Sequence, residues 1–235
     1  MEDKYPFEWK ENTKEDQDFR EKLWTGHNSL AVHTMTSTPM NLNMPITFIQ
    51  NGIHKEIWNM KPRSDDIWLV TYPKCGTTMG QELLWQMSRG CNVTSEESKT
   101  QLFSRSPFLE IGALKGICDC KECIDAFDNR PALFKDAVSY AETLPGPRIM
   151  KTHLPISMLP ASILDISKVI VIARNPKDAC VSFYHHEKLL PNHGMSESAP
   201  FDEFAKLYMK GQPSCYGDYW THLKVSYNMM LENEI

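Results

Sequence analysis

Apolar residues fall in short, dense runs after residue 65 and in no regular period before it. Ile67-Trp68-Leu69-Val70-Thr71-Tyr72, bounded by Asp66 and Pro73, has the length and continuity of a strand buried on both faces. A turn is expected at Pro73 to Gly76, followed by a helix on which Met79, Leu83, Leu84 and Met87 recur on one face. Arg148-Ile149-Met150-Lys151-Thr152 predicts a second strand, and the β-branched run Val169-Ile170-Val171-Ile172-Ala173 a third. Asn175 then offers a side-chain cap, with Pro176 at the first helical position and Asp178 in the first turn. Strand, turn and helix therefore recur in that order. This predicts an α/β fold with a P-loop-like parallel β-sheet flanked by helices. The stretch from Cys91 to about Pro147 reads as loops and short helices, broken at Pro107, Gly112 and Gly116. Residues 1 to about 65 read as one or two short helices and an irregular arm, within a single domain that spans 1–235.

Composition narrows the class. The chain has 235 residues, 41% hydrophobic and 23% charged, which suits a globular protein with a real core. No apolar run reaches the ~18 residues of a membrane span. Met1 to Pro6 lacks a basic region followed by an apolar one, so no signal peptide is expected and the expected location is cytoplasmic. Seven cysteines, an odd number without a framework, read as free thiols. A net charge of −5 argues against nucleic-acid binding but leaves room for a local basic pocket.

The chemistry-bearing residues stand at strand ends. Tyr72-Pro73-Lys74-Cys75-Gly76-Thr77-Thr78 lies between the first strand and its helix, where a Gly-containing loop exposes backbone N–H groups at a helix start. Lys74 adds a charge, and the two threonines add hydroxyls. The lysine precedes the glycine, so this is not a Walker A loop, and taken alone it reads equally as an anion site or a plain turn. Lys151-Thr152-His153-Leu154-Pro155 closes the second strand. Ligands of open α/β sheets bind at the carboxyl ends of the strands, which places Lys151 and His153 in the same crevice as Lys74. Arg174 ends the third strand, with Ser182 four residues beyond Asp178 on its helix. An arginine fork suits a dianionic phosphate, and the plainer reading is an ion pair with Asp178.

In this order and at this spacing, the three motifs resemble the cytosolic sulfotransferase family over about residues 60 to 225, and within it the insect branch that includes retinol dehydratase. The resemblance implies transfer of a sulfuryl group from 3′-phosphoadenylyl sulfate (PAPS) to the hydroxyl of a small alcohol, phenol or steroid-like acceptor, with no metal. It implies that Lys74, Cys75, Gly76, Thr77 and Thr78 cradle the 5′-phosphosulfate and that Met79 packs near the adenine. Arg174 and Ser182 would bind the 3′-phosphate, His153 would be the general base, and Lys151 with Lys74 would stabilise the transferring group. The family usually has serine at Cys75 and tryptophan at Met79. Its C-terminal part, with a basic loop and a dimer motif, is expected to be missing here, so a homodimer is not expected. Neither nucleic-acid nor membrane partners are expected. Two alternatives stay open: a catalytically weak, truncated PAPS-binding relative, and a retinol-dehydratase-like activity. The absent Walker A glycine disfavours a nucleotide kinase. Cys118, Cys120 and Cys123 lack a fourth zinc ligand nearby and read as a surface loop, and of His185 and His186 one at most borders the crevice. Phe103, Pro107 and Phe108 read as an apolar loop that in the family lines the acceptor pocket.

Overall fold

The first 65 residues carry a sheet of their own rather than an irregular arm. In the computed structural model, which describes residues 4–25, 34–114, 125, 129–190 and 194–232, β1 (Glu8–Glu11), β2 (Thr34–Thr38) and β3 (Asn43–Pro45) form an antiparallel sheet in the order β1-β2-β3. Glu8 stands opposite Thr38, and Thr34 opposite Pro45. These strands are three to five residues long and rich in polar side chains. Their pairing is a tertiary event, so no local period announced it. Helix α1 (Lys14–Glu21) lies between β1 and β2, capped by Thr13, whose hydroxyl accepts from the Asp16 N–H. Helices α2 (Ile46–Gln50) and α3 (Ile53–Trp58) follow, separated at Gly52, whose φ of 74° breaks the helical path. Phe48, Ile53 and Ile57 bury against Met44, Trp68 and Val70.

The three apolar runs form the predicted strands β4 (Ile67–Thr71), β5 (Ile149–Thr152) and β6 (Lys168–Ile172). All pairings are parallel, in the order β5-β4-β6, with Leu69 opposite Lys151 and Thr71 opposite Ile172. At the amino end of the sheet, Arg148 Nε and Nη2 donate to both oxygens of Asp66 at 2.6 and 2.5 Å, with both side chains fully buried. Losing one partner of such a pair costs ~3–5 kcal/mol, because a buried charge is left uncompensated.

Helix α4 (Thr77–Ser88) follows β4 as expected but buries a different face. Met79, Leu83 and Met87 are 71%, 56% and 60% exposed, and the buried face is Gly80, Gln81 and Trp85. A Cβ at Gly80 would stand 2.6 Å from Ile172 Cδ1 and 3.1 Å from Leu69 Cδ2. The glycine therefore lets the helix lie close on the sheet, and that close approach sets which face is inside. Short helices α5 (Leu102–Arg105), α6 (Ala132–Lys135), α7 (Ala137–Thr143) and α8 (Ile163–Ile166) occupy the connections. Helix α9 (Pro176–Leu189) begins as the sequence predicts, with Asn175 Oδ1 accepting from the Lys177 N–H at 3.0 Å. Helices α10 (Phe201–Met209) and α11 (Tyr219–Glu232) complete an aromatic second core in which Tyr72, Phe183, Phe204, Tyr208 and Tyr219 meet. No helix among the described residues is long and apolar enough to cross a membrane.

Candidate active site

The carboxyl ends of β4, β5 and β6 open into one cavity of about 510 Å³. Lys74, Gly76, Thr77, Thr78, Met79, Lys151, His153, Arg174 and Ser182 all line it. The sequence-predicted residues therefore converge, with one exception: the Cys75 side chain is buried beneath the loop, and burial pushes its thiol up to about 11. Cys118, Cys120 and Cys123 lie outside the described residues. Among the described residues, no three His, Cys, Asp or Glu side chains are grouped to hold a metal ion.

The loop after β4 is bent by two left-handed residues, Lys74 at φ 67° and Gly76 at φ 96°. Gly76 occupies the cap position of α4, and no side chain caps that end. The first-turn N–H groups and the positive end of the helix dipole are thus left for an anion. Thr77 Oγ1 shares a hydrogen bond with Thr71 Oγ1 at 2.6 Å, which ties the helix start to the strand end. Arg174 reaches back to this loop, Nη1 donating to the Lys74 carbonyl at 3.0 Å. Burial, then the nearby Arg174, pull Lys74 below the usual lysine range. Two cations sharing one mouth favour a multiply charged anion.

The other wall is buried. His153 Nδ1 lies 2.7 Å from the Thr71 carbonyl oxygen, which can only accept, so Nδ1 carries the proton. The neutral ring then keeps its lone pair on Nε2. Burial, then the Lys151 charge, hold this imidazole well below its ordinary range, so it is neutral near pH 7. Phe108 and Tyr216 stand edge-on to the ring with centroids 5.2 Å away. Lys151 Nζ lies 4.3 Å from the Phe108 ring centre, and burial lowers the amine to about 8.

Several lining residues escaped the sequence reading. Glu110 is almost fully buried, and its Oε1 accepts from Thr152 Oγ1 at 2.9 Å and from the His153 N–H at 2.6 Å. Burial raises this carboxyl to about 7. Its one signal in the sequence was a lone carboxylate inside the apolar run Pro107-Phe108-Leu109-Glu110-Ile111. Tyr216 also lines the cavity and carried no local signal, whereas of the histidine pair weighed in the sequence His186 borders the cavity and His185 is exposed. Of the apolar loop, Phe103 and Phe108 line the cavity, while the Pro107 carbonyl accepts from the Lys151 N–H at 2.9 Å.

Comparison with known proteins gives the family and the fold. Residues 64–235 match the sequence profile of the sulfotransferase domain. Luciferin sulfotransferase of Photinus pyralis is 32% identical over 184 residues, 77% of this chain and 47% of that protein. Sulfotransferase 1A1 of Rattus norvegicus is 35% identical over 161 residues, 68% of this chain and 48% of that protein. The chain thus spans about half the length of the curated relatives it matches. The crystal structure of retinol dehydratase in a complex with retinol and PAP superposes with a TM-score of 0.79 at 24% identity, over 97% of this chain and 68% of that one. A putative steroid sulphotransferase of Arabidopsis thaliana gives a TM-score of 0.59 at 24% identity, over 83% and 60%. At such identity these structures speak for the fold, and the profile speaks for the lineage. The chain belongs to the sulfotransferase family.

Proposed function

We propose that this chain transfers a sulfuryl group from PAPS to the hydroxyl of a small organic acceptor, with His153 as general base. One observation carries the reading: a single cavity joins an uncapped, cation-flanked helix start to a neutral imidazole whose Nε2 is left to accept a proton. The donor fits the first wall, where Lys74 and the N–H groups of Gly76, Thr77 and Thr78 would hold its phosphosulfate, and Arg174 with Ser182 its 3′-phosphate. Bound there, PAPS supplies an activated sulfuryl group. His153 takes the hydroxyl proton on Nε2 as the acceptor oxygen bonds to sulfur and the bridging S–O bond to the nucleotide breaks. A positioned base of this kind contributes ~10²–10⁴-fold. Lys151 and Lys74 offset the charge that gathers on the transferring group, the main demand of such reactions by analogy with phosphoryl transfer. Phe103, Phe108 and Tyr216 give the acceptor side an aromatic lining suited to a phenol, steroid or similar flat alcohol.

The test is incubation with PAPS labelled in its sulfur and a panel of phenols, steroid alcohols and retinoid alcohols. A labelled sulfate ester is the expected product. PAP binding without any product would mark a binding relative instead, and a dehydrated acceptor would mark an elimination.

A further inference from the structure

His153 is held by its main chain as well as by its ring. Strand β5 ends at Thr152, so the His153 peptide is the first beyond that strand. Its N–H donates to Glu110 Oε1 at 2.6 Å, and its carbonyl accepts from His222 Nε2 at 3.0 Å. Glu110 comes from the 3-10 turn Leu109–Leu114 and His222 from α11, far apart in the chain. Both are almost wholly buried, at 2% and 3% exposure. Thr152 Oγ1 closes the arrangement, donating to Glu110 Oε1 and accepting from the Leu154 N–H at 3.0 Å.

We propose that Glu110 and His222 are positioning residues that clamp the two peptide groups flanking the His153 Cα, so that Nε2 is presented to the acceptor in one orientation. The chemistry in this inference rests on the sulfotransferase reading, while the clamp can be tested without it. Glu110 Oε2 is buried with no hydrogen-bond partner, a costly state for a carboxyl that an apolar side chain would avoid. In exchange, Oε1 takes two hydrogen bonds from the strand end, which become charge-assisted once the carboxyl ionises above about pH 7. Glu110 is faced by Lys151 and His153 from the end of β5 and by Tyr216 from the loop before α11. Lys74 acts on Lys151 from the loop after β4, and His222 and His186 act on His153. For Lys151, burial and Lys74 disfavour the charged amine, and Glu110 favours it.

The experiment uses the 235-residue chain with three readouts: PAP binding by calorimetry, turnover with PAPS and 2-naphthol, and the His153 ring by long-range ¹H–¹⁵N NMR. Glu110→Ala and His222→Ala are expected to lower kcat at least ~10-fold while the Kd for PAP stays within ~3-fold. Glu110→Gln keeps an acceptor oxygen but removes the charge, and His222→Gln keeps an N–H donor. Both should recover kcat to within ~3-fold of the parent at the optimum pH. The ring should show one neutral, Nδ1-protonated form in the parent and a mixture in the alanine variants. Unchanged kcat and unchanged ring signals in both alanine variants would overturn the clamp. If the alanine variants fail to fold, Glu110→Leu and His222→Leu, which fill the space without the hydrogen bonds, replace them under the same criteria. If the parent binds no PAP and makes no product, the sulfotransferase reading has failed, and the ring signals alone judge the clamp.

Discussion

The two walls of the cavity are built in opposite ways. The anion wall comes from two contiguous strand-turn-helix units, Thr71 to Met79 and Ile172 to Ser182, and much of it is open to solvent. The base wall comes from Glu110, Lys151, His153 and Tyr216, backed by His222, and these are drawn from separate stretches and largely buried. On the proposed function, the difference follows from what each wall would do. An anion is held by main-chain N–H groups and long cationic side chains, which a single turn supplies and which work in contact with water. Proton transfer needs groups displaced from their ordinary protonation, and only burial and packed neighbours displace them.

The sharpest way to break this contrast is at the imidazole. His153→Ala should lower turnover by at least ~10²-fold while PAP binding is nearly unchanged. An active preparation that keeps its turnover after this change would remove His153 from the base wall.

Arg174→Ala should act on the other wall with the opposite signature. PAP should lose affinity by ~1.5–3 kcal/mol, toward the lower end because Arg174 is exposed, while adenosine 5′-phosphosulfate, which lacks the 3′-phosphate, should lose far less. Added salt should weaken PAP binding to the parent more than to the variant. Equal losses for the two nucleotides in calorimetry would place Arg174 away from the 3′-phosphate.

Acid should probe the base wall more gently. Burial drops His222 from 6.5 to about 4, so between those values the unfolded chain binds a proton that the folded one does not, and stability falls as pH falls. His153 is displaced the same way. Glu110 is raised from 4.5 to about 7, so its contribution is present at low pH and is lost as pH rises through that window. The Tm at pH 7 minus that at pH 5 should therefore shrink in His222→Gln and widen in Glu110→Gln. No change in either difference, read in thermal melts, would mean that these groups titrate as they do in water.

The smallest effect concerns thiols. Cys91 is exposed while Cys75 is buried with its thiol raised to about 11. Brief alkylation at pH 7.5 followed by peptide mapping should find Cys91 modified and Cys75 spared. Early loss of Cys75 would show that the anion loop opens to solvent.

How far this was legible beforehand can be judged residue by residue. The strands Ile67–Thr71, Ile149–Thr152 and Lys168–Ile172 and the Asn175 cap were legible because each is decided by neighbours in sequence. The Lys74, Lys151, His153 and Arg174 positions followed from strand ends in the same way. The face of α4 was misread, since Met79, Leu83 and Met87 make an apolar stripe and Gly80, with no side chain, decides the packing. The N-terminal sheet escaped for a related reason: a short polar strand such as Glu8–Glu11 gains its stability from its partner Thr34–Thr38, not from its own residues.

By itself, then, the sequence determined the parallel sheet, the bent loop before a helix and the order of the basic residues along the strand ends. Tertiary structure alone decided which apolar residues are buried, that Cys75 turns inward, that Nδ1 of His153 is the protonated nitrogen, and that Glu110 and His222 meet its peptide. Backbone propensity and capping act over a few residues and are written in each segment. Burial, tautomer and protonation depend on atoms brought close from tens of residues away, and those distances exist only in the folded chain.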